Sequence, residues 1–273
     1  MIGMPKNPPK RGHVCVAAIP VDGAVYGGPR KRAIAVSSDE YNLDPTWPHL
    51  RVIPRTTCGH RISYRARIVL GAIESPASDM LGSYDPQPGI IDCLQLLPFS
   101  KEAVTDVLPT LLPNKRLKAV SCSIKTYLSS QSDVGLVHRF GRSIFKWVSG
   151  RAEYGPGALY ELHHHGKRSL FVVVSNSTIN RARVHPKYAK EPLLTVVRVA
   201  DWDRPDEPRT HILLDPTRDQ VDRRLLVIHQ TVRTIDLAAY ATAPYLVSGR
   251  PARLDSTRMR VLHKLIFRFL GIE

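Results

Sequence analysis

Little in this sequence could staple it covalently or through a metal. Four cysteines occur among 273 residues, Cys15, Cys58, Cys93 and Cys122, with no Cys-x-x-Cys pair. Neither a zinc ribbon nor a disulfide framework is expected, and reduced thiols in a cytoplasmic protein are. Aromatic residues make up only 7%, which argues against a single-strand binder built on base stacking. No apolar run approaches the roughly 20 residues that span a bilayer, so no membrane association is expected. The segment MIGMPKNPPKRGHVCVAAIPVDG places a short apolar run after positive charge. Pro20, Asp22 and the lack of a small-residue cleavage site make it a strand rather than a signal peptide. Acidic residues are also scarce, with 24 Asp and Glu against 39 Lys and Arg and a net charge of +15. Such an excess favours a polyanionic partner, because Lys and Arg displace counterions condensed on phosphates. The 43% hydrophobic content supplies folded cores and excludes wholesale disorder.

What is present is a repeat. Setting Gly12 against Gly150 gives an offset of 138, which also carries Gly28 to Gly166, Arg30 to Arg168, Ser37 to Ser175 and Asn42 to Asn180. Ahead of the two serines lie AIAV (33–36) and FVVV (171–174). Continuous apolar runs of this length read as buried strands, with the glycines forming hairpin loops and the asparagines marking exit turns. With small changes of offset, Val52-Ile53 matches Val196-Val197, and LQLLPFS (94–100) matches QTVRTID (230–236). Each half then ends on an amphipathic helix. Leu117, Val120, Ile124 and Leu128 have helical spacing in the first, and Met259, Leu262, Ile266 and Leu270 in the second.

The expected organisation is two β-rich units, residues 10–130 and 148–273, joined by a linker at 131–147, with IFKWV opening the second unit's first strand. The fold class is mainly β with C-terminal helices (α+β). Short, curled antiparallel strands suggest two tandem SH3-like small barrels.

These residues resemble the MazF/PemK family of toxin–antitoxin toxins, endoribonucleases on an SH3-like barrel of the MazF/CcdB type. The first half carries Gly12-His13-Val14, Gly27-Gly28-Pro29-Arg30, the AIAV strand with Ser37-Ser38-Asp39, and Val52-Ile53-Pro54-Arg55-Thr56. The second carries Gly166-Lys167-Arg168, FVVV with Ser175-Asn176, Val232-Arg233-Thr234-Ile235-Asp236 and Phe269-Leu270-Gly271-Ile272. The resemblance implies metal-independent cleavage of single-stranded RNA such as mRNA, without a cofactor, and an antitoxin protein that covers the basic groove. In that chemistry a 2′-hydroxyl attacks the adjacent phosphorus and leaves a 2′,3′-cyclic phosphate. It requires a cation at the crowded phosphorane and a donor for the leaving oxygen. The resemblance gives Arg30 the cation's role and Thr56 the donor's.

The sequence departs from the family pattern in three places. One extra residue separates Arg30 from its apolar strand and the expected Pro is absent, so Lys31 or Arg32 can substitute for Arg30. Ala200 stands where Thr56 has its counterpart, which impairs the second half although Arg168 remains there. Leu97-Pro98 replaces the Arg-Thr of the late motif in the first half. The resulting expectation is an internal pseudo-dimer with at most one active centre. The alternative is a catalytically inactive growth inhibitor on the same fold that binds nucleic acid or a host protein.

The acid-free stretch 51–67 holds Arg51, Arg55, Arg61 and Arg65, with Tyr64 able to stack on a base. It reads as a phosphate-tracking loop beside Thr56, and Arg168 joins the expected RNA contacts. His163-His164-His165 is not expected to hold a metal, since neighbours on an extended chain face opposite ways. Arg233-Thr234 reads as a fold-stabilising network.

Overall fold

The computed structural model describes residues 8–19, 28–56, 67–70, 89–93, 95–128, 145–147, 154–164, 166–180, 182–184, 193–202, 211–237 and 240–272. In the first half, strands β1 (His13–Ile19), β2 (Gly28–Ala35), β3 (His49–Thr56), β4 (Arg67–Leu70), β5 (Gly89–Asp92), β6 (Leu97–Ser100) and β7 (Val104–Leu111) form one sheet. Its order is β4-β5-β3-β2-β1-β7, with β6 also on β3. Helix α1 (Asp39–Asn42) follows β2, and α2 (Asn114–Leu128) follows β7.

The second half begins with β8 (Phe145–Trp147), β9 (Leu159–His164), β10 (Lys167–Val173) and α3 (Ser177–Asn180). It continues with β11 (Ala182–Val184), β12 (Leu193–Asp201), β13 (Ile212–Leu214), β14 (Leu225–Asp236) and β15 (Ala241–Pro244). The small hairpin β16 (Leu246–Val247) and β17 (Arg250–Pro251) leads into α4 (Ser256–Phe269). The sheet order is β13-β14-β12-β10-β9-β15. The described pairings leave both sheets open rather than closed into barrels. Within IFKWV, Phe145–Trp147 form a strand, but β8 pairs with β11 in a separate ribbon, and the main sheet of the second half, as described, starts at Leu159.

The apolar runs are continuous because their strands are buried on both faces. Ile34 and Val36 enter one hydrophobic cluster, while Ala33 and Ala35 enter another on the opposite side. Val172 and Val174 join that same first cluster, and Phe171 and Val173 a third. The helices dock through the spacing seen in the sequence. Val120, Ile124 and Leu128 on α2 are fully buried, as are Leu262 and Ile266 on α4 and Leu270 at its end. Asp255 caps α4 by accepting from the Arg258 N–H at 2.7 Å. Gly271, at φ 60°, lets the chain leave the helix.

Both halves contain the same side-chain lock. Ser37 Oγ donates to Asn42 Oδ1 at 2.5 Å, Asn42 Nδ2 donates to the Ser37 carbonyl at 2.8 Å, and the Arg51 N–H donates to Ser37 Oγ at 2.9 Å. In the second half Ser175 Oγ donates to Asn180 Oδ1, Asn180 Nδ2 returns to the Ser175 carbonyl at 3.0 Å, and the Thr195 N–H donates to Ser175 Oγ at 2.9 Å. The two asparagines, expected at exit turns, are thus buried hydrogen-bonding hubs. The glycine alignment is corrected. Gly12 N–H donates to Ala35 and Gly157 N–H to Val173, both at 2.7 Å, so Gly157 and not Gly150 is the counterpart of Gly12.

The halves grip each other reciprocally. Ser38 N–H donates to the Phe269 carbonyl at 2.8 Å, and Asn176 N–H donates to the Tyr127 carbonyl at 2.9 Å. Thr234 N–H donates to the Leu96 carbonyl at 2.6 Å, and Leu96 N–H donates back to Thr234 Oγ1 at 3.1 Å. The largest hydrophobic cluster draws from both sheets and from both long helices. Thr234 therefore joins the two halves, and Arg233 lies 5.1 Å over the Phe171 ring.

His263 on α4 sits in this core with Nε2 3.1 Å from the Val174 carbonyl. Burial lowers its pKa, against the raising effect of that hydrogen bond. A depressed folded value means that stability is full above the ordinary histidine pKa near 6.5 and is lost as pH falls through the lower folded value. The melting temperature should fall between pH 7.5 and 5, and less so in His263→Gln. An identical acid-induced drop in both proteins would contradict this.

Candidate nucleic-acid interface

The site expected in the first half lies where β2 and β3 run side by side. Their register pairs Ala33 with Pro54, Ile34 with Ile53 and Ala35 with Val52. Continued to the end of β3, it sets Thr56 across from Lys31, with Arg30 at the next position along β2. The paired residues of β2 and β3 end at Ala33 and Pro54, and Thr56 itself pairs with Ile90 of β5. The side chains of Arg30, Lys31 and Thr56 lie outside the described residues, as do Arg61, Tyr64 and Arg65. Arg32 is half-buried, and its Nη1 is shielded from solvent without a hydrogen bond among the described residues.

Two expected RNA contacts are corrected. Arg51 is 2% exposed and Arg55 5%, because β3 enters the interior at both positions. The Arg51 guanidinium donates through Nε to the Val232 carbonyl at 2.6 Å, through Nη1 to that of Leu50 at 2.9 Å, and through Nη2 to that of Gln230. It also lies 5.6 Å from the Phe269 ring centre. Burial, aided by the like charge of Arg233, pushes its pKa down to about 9. The residue is an internal clamp between the halves, with no face for a phosphate.

In the second half the equivalent position is an open cavity of about 470 Å³. The register of β10 and β12 pairs Leu170 with Val199, and its continuation sets Ser169 across from Ala200 with Arg168 alongside. All three line the cavity, together with Glu161, Arg198 and Arg223. Two of its three cations are already engaged. Arg168 Nη2 donates to Glu161, whose hydrogen bond and charge raise the arginine's pKa. Arg223 Nε donates to Asp201 at 2.5 Å and its Nη1 to Asp222 at 3.2 Å. Tyr245 Oη donates to Asp222, and burial followed by that bond pushes its pKa up to about 12. Arg198 is exposed and has no ion pair among the described residues.

Sequence reasoning missed Glu161, Arg198, Arg223 and Tyr245. Glu161 did leave a trace, as a lone charge inside the apolar stretch Leu159-Tyr160-Glu161-Leu162. No group of three His, Cys, Asp or Glu residues suited to a metal occurs among the described residues. Cys15 and Cys93 are buried and Cys122 is partly exposed, while Cys58 lies outside the described residues. No described helix is long and apolar enough to cross a membrane.

No protein-family model and no curated protein matches the chain. Among solved structures it is similar to an endoribonuclease in complex with its cognate antitoxin from a Mycobacterial species. That match has a TM-score of 0.32 and 16% identity, and covers 43% of this chain and 92% of that one. A second endoribonuclease from a Mycobacterial species matches with a TM-score of 0.30 and 17% identity over 44% of this chain and 90% of that one. The MazE–MazF complex from Deinococcus radiodurans matches with a TM-score of 0.32 and 16% identity over 44% and 96%.

Proposed function

We propose that the protein is a toxin-like, metal-independent endoribonuclease that cleaves single-stranded RNA. On this reading it consists of two diverged MazF/PemK-like units, 10–130 and 148–273, joined by the linker 131–147 and packed as a single-chain pseudo-dimer. The observation that supports it is the antiparallel pairing of β2 with β3, Ala33 opposite Pro54, whose continuation would set Thr56 across from Lys31 with Arg30 alongside. A cation and a hydroxyl at facing positions of neighbouring strands are what an internal phosphoryl transfer needs. The 2′-oxygen forms a bond to phosphorus, the P–O5′ bond breaks, and the proton lost from the 2′-hydroxyl is balanced by one gained at the 5′-oxygen. The cation, from Arg30 or Lys31, offsets charge on the non-bridging oxygens, and Thr56 hydrogen-bonds near the departing oxygen. The resemblance in sequence motifs and the +15 net charge point the same way. An antitoxin that covers the basic surface is the partner this reading implies.

The test is incubation of the purified chain with single-stranded RNA in EDTA, followed by analysis of the new ends. Cleavage leaving 2′,3′-cyclic phosphates is expected. RNA that is bound but intact would replace the nuclease with the inactive binder.

A further inference from the structure

The cavity of the second half is lined with arginines yet holds an acid, Glu161, where the first half has Val16. Glu161 occupies the position on β9 that Val16 occupies on β1. Val16 pairs with Arg32 and Glu161 with Leu170, and these are corresponding positions of β2 and β10. Val16 is buried in the core at 2% exposure. Glu161 instead turns its carboxylate onto Arg168, with its own side chain 15% exposed and that of Arg168 65% exposed. A carboxylate offers a guanidinium the same paired acceptor oxygens as a phosphate does. It occupies Arg168 and adds a negative charge where an anionic ligand would enter.

We propose that this cavity is a latent phosphate site closed by Glu161, which serves as an internal surrogate for the phosphate. The class of ligand is a phosphate group, whether free or carried by a nucleic acid. Arg198, exposed and without an ion pair among the described residues, and Arg168, once released, are its two available cations. Arg223 stays engaged because Asp201 and Asp222 hold it from two sides. Ser169 supplies a hydroxyl at the wall. The proposal concerns anion binding at this cavity alone and stands apart from the nuclease reading.

The experiment is calorimetric titration of the full chain with inorganic pyrophosphate and, separately, with a short 2′-deoxy oligonucleotide that cannot be cleaved by 2′-hydroxyl attack. Glu161→Gln keeps the shape and removes the charge. It should bind pyrophosphate at least about threefold more tightly than the unaltered chain, given the strength of a partly exposed ion pair. Glu161→Val, which restores the first half's residue, should show a similar gain. Adding Arg168→Ala to Glu161→Gln should abolish it. A parallel gain for the oligonucleotide assigns the site to nucleic-acid phosphate, and a gain for pyrophosphate alone assigns it to free phosphate. No gain with either probe in Glu161→Gln, or a gain that survives loss of Arg168, overturns the proposal.

Discussion

Replacing Arg51 by alanine should destabilise the whole chain by about 3–5 kcal/mol, the range for disrupting a fully buried charged group. The guanidinium satisfies three carbonyls, two of which, Val232 and Gln230, belong to β14 of the other half. Its removal takes one donor from each of those carbonyls, at up to about 1–3 kcal/mol each. The relief of no longer burying a cation that has only carbonyl and ring partners offsets part of this. It also opens a void against Phe269, whose ring the cation covers. For a chain of this size the melting temperature should drop by roughly 10 °C. Arg51→Lys should fall between the two, since one ammonium cannot span both β14 carbonyls as the planar fork does. Thermal melting of the three proteins measures this directly, and an unchanged midpoint for Arg51→Ala would remove the residue from the stabilising framework. Arg51 has no symmetric twin. The equivalent position holds Thr195, whose Oγ1 lies 3.1 Å from that of Thr234.

Much of the fold could be read from the sequence where one physical constraint acts alone. AIAV and FVVV are apolar at every position because both faces of β2 and β10 are covered, and this leaves a signature independent of context. The terminal helices show their buried stripe because the 3.6-residue period is local. The matching of LQLLPFS with QTVRTID also holds, since β6 pairs with β3 in the register in which β14 pairs with β12. The strand before each glycine hairpin departs from the constant offset that relates the strands after it. The hairpin joining β1 to β2 is longer than that joining β9 to β10, so a constant offset points to Gly150 where the backbone uses Gly157. A run of arginines without acids reads as a phosphate-tracking loop, which is what the sequence suggests for Arg51 and Arg55. The burial of Arg51 depends on carbonyls supplied from about 180 positions away, which no local pattern encodes. The acids that engage the arginines of the second cavity, Glu161, Asp201 and Asp222, come from β9, β12 and the approach to β14. Only the folded chain brings them together.

The other large effect expected is catalytic and unequal between the halves. In the proposed reaction Thr56 donates near the leaving oxygen, and removing one donor positioned for a transition state costs about 10²–10³ in rate. Thr56→Ala should therefore lose at least about 100-fold in RNA cleavage while keeping its melting temperature, because the change falls at the last residue of β3. Arg168→Ala removes a side chain already committed to Glu161, in a cavity where Ala200 supplies no hydroxyl. Its cleavage rate should stay within about threefold of the unaltered chain, the scale of a partly exposed ion pair.

The central claim, one pseudo-dimeric chain with its chemistry confined to the first half, is tested most directly by measuring those two rates side by side on the same RNA in EDTA. The account predicts near-complete loss in Thr56→Ala and near-normal cleavage in Arg168→Ala. Equal losses in both variants, or full activity in Thr56→Ala, would contradict it.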